Sequence, residues 1–277
     1  MTTLSRAVWQ ERTGRIGVVL VGAIILLAVV GPVVSPDPNM LDVPARFAPP
    51  SFDHPLGTDN LGRDLFARAA VGTRAALGIA VLVVGLSLSA GLALGVIAAR
   101  VGGVVDRLIL AALDVLSAFP VYILVFALVA LYGSGLGKLV LVISVAFLPQ
   151  FTRVARSQAL LVRQRHYIEM AQLMGVSAPR IALRHTVPNI IGPMIVLASM
   201  NLPVVITIEA AMSFIGLGVQ PPATSLGTLI RDGYLFLDQS WWPIVGATGV
   251  LAVATLGCTL LGETLRDVLD PKRKGRS

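Results

Sequence analysis

The sequence predicts an all-α integral membrane protein with six transmembrane helices and both termini in the cytoplasm. Three observations carry that prediction. Of 277 residues, 55% are hydrophobic and 13% charged, about half the ~25% charged share of a soluble domain. The apolar residues are gathered into six runs near the ~20 residues that a helix needs to cross ~30 Å of hydrocarbon. If those runs alternate across a bilayer, 16 of the 22 Lys and Arg fall on one side and six on the other. Basic loops stay cytoplasmic, so this asymmetry puts both termini and the longest basic interval inside.

Residues 1–15 form a cytoplasmic N-terminus with Arg6, Arg12 and Arg15. Residues 16–34 hold no polar side chain and end in PVVSPDP, without a small-x-small cleavage site, so the first span reads as a retained anchor. Residues 35–74 are too polar to cross; they are proline-rich, carry five aspartates and are placed outside. Their core, HPLGTDNLGRDLFARAAVGTR, reads as turns leading into an amphipathic helix. There Asp59 and Asp64 suit either a cation site or helix capping with Asp–Arg pairing.

The second span, 75–99, is uncharged, and Gly91 and Gly95 give it a small-xxx-small face for a close neighbour. The third, 108–132, contains Asp114 and Pro120. The proline predicts a kink. The acid is either functional within the membrane or paired with an arginine or a helix N-terminus. The fourth span is 135–152. A cytoplasmic loop, 153–188, then carries six arginines against one acid, Glu169. Within it Tyr167, Met170, Ala171 and Met174 fall at i, i+3, i+4 and i+7, one face of a helix. Gly175 follows as a C-cap. Ser177 and Pro179 start a second helix, and Pro188 precedes the fifth span. A small apolar face on a basic loop suits a groove in a partner protein or the lipid headgroup layer.

The fifth span, 189–212, is bent by Pro193 and Pro203 and ends near Glu209, which either lines a pathway or bonds to backbone freed at the helix end. An external segment, 213–242, ends in Trp241 and Trp242, interfacial residues with Tyr234. The sixth span is 243–262 and the basic tail 263–277 is cytoplasmic.

Some chemistry is missing. A single cysteine, Cys258, excludes an internal disulfide, and three scattered histidines give no metal spacing. GSGLGK at 133–138 lacks the spacing and the Ser/Thr of a phosphate-binding loop. Basic residues confined between apolar runs do not point to nucleic acid.

Four segments carry a resemblance. Glu169-Met170-Ala171, Gly175 and Pro188-Asn189 resemble the EAA loop of ABC importer permeases, with Met170 and Val187 replacing an Ala and a Leu. HPLGTDNLGRD, IEAAMSFIGLG and LRDVLDP are similar to segments of the dipeptide, oligopeptide and nickel branch. The resemblance implies a type I ABC importer permease fold in the cytoplasmic membrane of a prokaryote, carrying dipeptides, oligopeptides or related solutes. It implies a homologous second permease subunit, ATPase subunits that bind ATP and Mg, and an external substrate-binding protein, with no cofactor in this chain. Tyr167, Met170, Ala171 and Met174 would dock on the ATPase, Glu169 would orient the loop, Gly175 would form its elbow and Pro188 would close the motif. The competing classes are a secondary transporter using Asp114 and Glu209 as a proton relay, and a non-transporting scaffold.

Overall fold

The structure is a computed structural model that describes residues 3–133 and 135–269. The predicted tail is seen to residue 269; Lys272, Arg273, Lys274 and Arg276 lie outside the described residues. The described chain is nearly all helix: α1 (Thr3–Gln10), α2 (Arg12–Val34), α3 (Leu65–Val101), α4 (Gly103–Ser117), α5 (Val121–Tyr132), α6 (Leu136–Arg163) and α7 (His166–Leu173). Then α8 (Ala178–Ile181) passes through a π-helical turn (Ala182–Thr186) into α9 (Val187–Phe214), followed by α10 (Leu226–Leu235) and α11 (Trp242–Leu269). Five helices, α2, α3, α6, the α8–α9 rod and α11, are long and apolar enough to cross a membrane. The α4–α5 pair, bent by 88°, is together apolar and long enough for a sixth, broken span or for a re-entrant loop.

Three boundaries differ from the sequence reading, each for a local reason. The second span was placed from residue 75, but α3 begins ten residues earlier because Asp64 caps it, its Oδ1 accepting from Ala67 N at 2.7 Å. The amphipathic lead-in is thus the first turns of the span. The third span, read as one kinked helix over 108–132, is two helices. Pro120 has no N–H, so the α4 ladder closes at Ala118 N on Asp114 O and α5 starts afresh at Val121. The fourth span runs eleven residues past 152, to Arg163.

The centre of the bundle is α3 lying along α6. A Cβ on Gly91 would sit 2.5 Å from Phe151 Cβ, and one on Gly95 2.6 Å from Ala155 Cβ, so the two glycines are what allow this approach. Around the contact Ile79, Val83, Ile143, Phe151, Met194, Ile206 and Met212 form the core. The anchor α2 packs on α11, which packs on α9.

The segment before α3 is folded around Asp59. Its carboxylate accepts from Leu61 N (2.8 Å), Arg63 N (3.0 Å), Arg63 Nε (2.7 Å) and Arg68 Nη1 (2.5 Å). Asp64, besides capping α3, lies 2.7 Å from His54 Nδ1. These are the capping and pairing roles. Among the described residues no group of His, Cys, Asp and Glu could hold a metal ion.

Asp59→Ala would strand the guanidinium of Arg68, which is 5% exposed. Removing one member of a buried ion pair costs about 3–5 kcal/mol. We expect the detergent-solubilised variant to melt well below the parent, while Asp53→Ala, at an exposed position, does not. A parental melting curve for Asp59→Ala would show that the cluster does not hold this segment.

Candidate functional site

The site is built at the end of α6. Three of the six arginines assigned to a loop belong to this helix and fasten its neighbours. Arg156 clamps Asp106 with two bonds, Nε to Oδ1 (2.5 Å) and Nη2 to Oδ2 (2.6 Å). Arg153 Nη2 donates to Asp114 Oδ1 (2.7 Å) and Ser117 Oγ (3.0 Å). Arg163 Nη1 donates to Ala99 O (3.1 Å), tying the ends of α3 and α6 together. The exposed arginines Arg165, Arg180 and Arg184 flank α7 and the start of the next helix.

Helix α7 hangs from this frame by few contacts. Ile168 is buried and turned toward the bundle, and Arg100 Nη1, at the end of α3, donates to Ala178 O. Between α7 and the ends of α3 and α6 lies a cavity of about 340 Å³, lined by Val96, Ala99, Ala159, Ile168, Val176 and Ile181 with Arg100 and Arg163. On the other side, Tyr167, Met170, Leu173 and Met174 are exposed, the last two by 76% and 80%. Three large apolar side chains in solvent on an eight-residue helix, with a fourth at its C-cap, are an unpartnered face.

The turn that follows is set by Gly175. Its φ is +72°, and Val176 N bonds to Ala171 O and Gly175 N to Gln172 O, both at 3.0 Å, the paired bonds of a Schellman cap. An added Cβ would meet nothing within 4 Å, so the demand for glycine here is conformational rather than spatial.

The structure thus gathers Tyr167, Met170 and Met174 on one face, with Ala171 half-buried at its edge. Leu173 belongs to that face although a strict i, i+3, i+4, i+7 reading omits it; its apolar character was the only signal. Glu169 does not orient the loop within this chain. Its carboxylate is 71% exposed and, among the described residues, reaches only His166 Nδ1, at 3.9 Å. Pro188 lies away from α7, inside the helical rod from 178 to 214, so the loop that actually interrupts α6 and the fifth span is residues 164–177. Lacking an N–H, Pro188 cannot bond to the carbonyl four residues back, and the turn preceding it is π-helical.

The two acids considered for a relay are not brought together. Asp114 is 68% exposed and paired with Arg153, which is ~15 Å of helix rise from the loop end of α6. Glu209 is fully buried ~33 Å along α9 from its loop end. Its Oε1 accepts from Ser213 Oγ (2.7 Å), and that oxygen accepts from Val219 N (3.1 Å). Glu209 therefore supports the backbone where α9 ends, through Ser213.

Comparison with known proteins gives one family and one fold. The profile of the family described as binding-protein-dependent transport system inner membrane component matches residues 91–275. The chain is similar to a peptide transport system permease protein of Brucella suis biovar 1 (strain 1330), 35% identical over 98% of this chain and 91% of that protein. It is similar to the oligopeptide transport system permease protein OppC of Bacillus subtilis (strain 168), 33% identical over 95% and 87%. With the glutathione transport system permease protein GsiD of Pectobacterium atrosepticum it shares 38% identity over 81% and 75%. Among solved structures, an inward-facing form of the MetNI methionine ABC transporter matches with a TM-score of 0.57 at 18% identity, over 71% of this chain and 94% of that one. That likeness is one of fold.

Gly175→Val forces a β-branched residue into the left-handed region, a strain of about 1–2 kcal/mol, and should unseat α7. Gly175→Asn should be tolerated, since Asn populates that region readily. Trypsin acting on the exposed Arg165 and Arg180 reads the difference: faster cleavage in the Val variant, near-parental cleavage in the Asn variant. Equal rates in all three proteins would mean that the Gly175 turn does not hold α7.

Proposed function

The chain belongs to the family of binding-protein-dependent transport system inner membrane components, and from that premise we propose that it forms part of the pathway through which an ATP-driven importer takes up peptides or related small solutes. Membership makes it a multi-pass transport subunit of the cytoplasmic membrane rather than an enzyme, working with an ATPase and a substrate-binding protein. The chain has no phosphate-binding loop of its own, so ATP and Mg belong to partner subunits. We assign a second, homologous permease to the other half of the pathway. The peptide class follows from the names of the relatives.

The observation that carries the coupling reading is the exposed face of α7. Tyr167, Met170, Leu173 and Met174 stand in solvent beside Glu169, on a helix seated over a cavity and fixed by the Gly175 turn and Arg100. Such a face fits an apolar groove on an ATPase subunit. When that subunit closes on ATP, α7 moves with it. Arg100, Ile168 and the rod from 178 to 214 pass the movement to α3 and α9. Glu169, unused within the chain, then has an ATPase donor as its partner.

A proton-driven mechanism fits less well, because Asp114 is neutralised by Arg153 and Glu209 lies in the other half of the bundle.

Leu173→Glu with Met174→Glu places two charges in the proposed interface without touching the bundle. From cells holding the complete transporter, the parent chain should bring down a nucleotide-binding subunit and the double variant should lose it. Uptake of a labelled dipeptide should fall with ATP depletion and survive a protonophore that leaves ATP intact. Retention of the ATPase by the double variant would remove α7 from the interface, and uptake that collapses with the protonophore would overturn the ATP-driven reading.

A further inference from the structure

The end of the bundle opposite α7 holds a cavity of about 440 Å³, within the range of small-molecule sites (~300–1,000 Å³). Its polar lining includes Arg63, Arg68, Arg231, Asp232 and Asn39. The charges around it do not balance. Arg63 and Arg68 share Asp59, and Asp232 Oδ2 lies 3.6 Å from Arg68 Nη1 and 4.0 Å from Arg63 Nη2. Two carboxylates thus face three guanidinium groups. Arg231 carries the surplus: it is exposed at the cavity, its charge is felt by Asp232, and it makes no hydrogen bond and no ion pair within 4.0 Å among the described residues.

Two further observations sharpen the imbalance. Arg68 is 5% exposed, yet its Nε is buried without an acceptor. Polar groups buried in this way are ordinarily bonded, and charge-assisted donors bond most strongly to carboxylates. Burial also holds the Asp232 carboxyl above the usual carboxylate range, against the pull of Arg68, Arg63 and Arg231. The side-chain amide of Asn39 lines the same space and has no hydrogen bond among the described residues.

We propose that this cavity is a receiving site for a small organic carboxylate, with Arg231 as the donor that contacts it and Arg63 and Arg68 supplying the field. One negative charge matches the surplus of one; a phosphate dianion would exceed it. On the transport reading, the carboxylate is the C-terminal group of a short peptide arriving on the face away from the ATPase. That instance rests on the proposed function, whereas the site itself rests on the charges and the space.

The test uses the assembled transporter in lipid nanodiscs, without its substrate-binding protein, and calorimetric titration with Ala-Ala, Ala-Ala amide, acetate and inorganic sulfate. Ala-Ala should bind and its C-terminal amide should bind at least tenfold more weakly. Arg231→Gln should weaken Ala-Ala at least tenfold, and Arg231→Lys should recover part of the loss, with the melting temperatures of both unliganded variants matching the parent. Equal binding of peptide and amide would overturn the site, as would an Arg231→Gln protein that binds like the parent or a preference for sulfate over both carboxylates. Arg231-dependent binding of acetate and Ala-Ala, in a transporter that fails to take up peptides, would uphold the site and sink the peptide reading instead.

Discussion

Gly91 and Gly95 let α3 and α6 lie with their backbones in contact, and both ends of the molecule depend on that approach. Helix α3 is 37 residues long, ~56 Å at 1.5 Å per residue, well beyond the hydrocarbon of a bilayer. Its first turn carries the Asp64 cap and Arg68, at the centre of the ion-pair cluster at that end. Its last turn carries Ala99 O, which receives Arg163, and Arg100, which holds Ala178 O. One rod therefore joins the folded segment before α3 to the loop that supports α7. A side chain at either glycine would separate α3 from α6 and shift the two functional ends relative to one another.

Much of this was legible in the sequence because a membrane makes hydrophobic length nearly equivalent to structure: backbone groups in lipid must be satisfied within the helix. Five of the six apolar runs became single helices long enough to span, and the sixth became the bent α4–α5 pair. Their ends were less legible, because a helix stops where its caps fall and not where hydrophobicity does. Asp64 starts α3 amid polar residues, and α6 continues through Arg153, Arg156 and Arg163 since those arginines have partners on α3 and α4. Pro120 announced a break but not its size. A proline removes one bond, whereas the 88° between α4 and α5 also reflects what grips α4, and Asp106 and Asp114 reveal nothing of that before α6 is in place.

The loop shows the same division. Gly175 was readable because a positive φ after a helix is a local demand. The division of α7 between Ile168 facing in and Leu173 facing out was not, since on a helix of eight residues both are apolar and only the bundle beneath decides which is covered. Glu169 illustrates the limit in the other direction. Its position was legible, but among the described residues its carboxylate meets only His166, at 3.9 Å, so nothing within the loop explains it.

Charge at the two ends is used differently, and the difference bears on mechanism. At the loop end, Arg153, Arg156 and Arg163 are consumed by Asp114, Asp106 and Ala99 O, so half of the loop's basic residues brace the bundle and do not sit free for lipid headgroups. At the other end Arg63 and Arg68 are braced by Asp59 while Arg231 remains unspent. A base beneath α7 whose arginines are held by hydrogen bonds suits an element that must transmit movement without deforming. An exposed cation without a hydrogen bond of its own, beside a cavity, suits an element that must attract something and let it go. The fold places these two characters on opposite ends of α3, which is the arrangement a carrier needs if force is applied on one side of a membrane and cargo is received on the other.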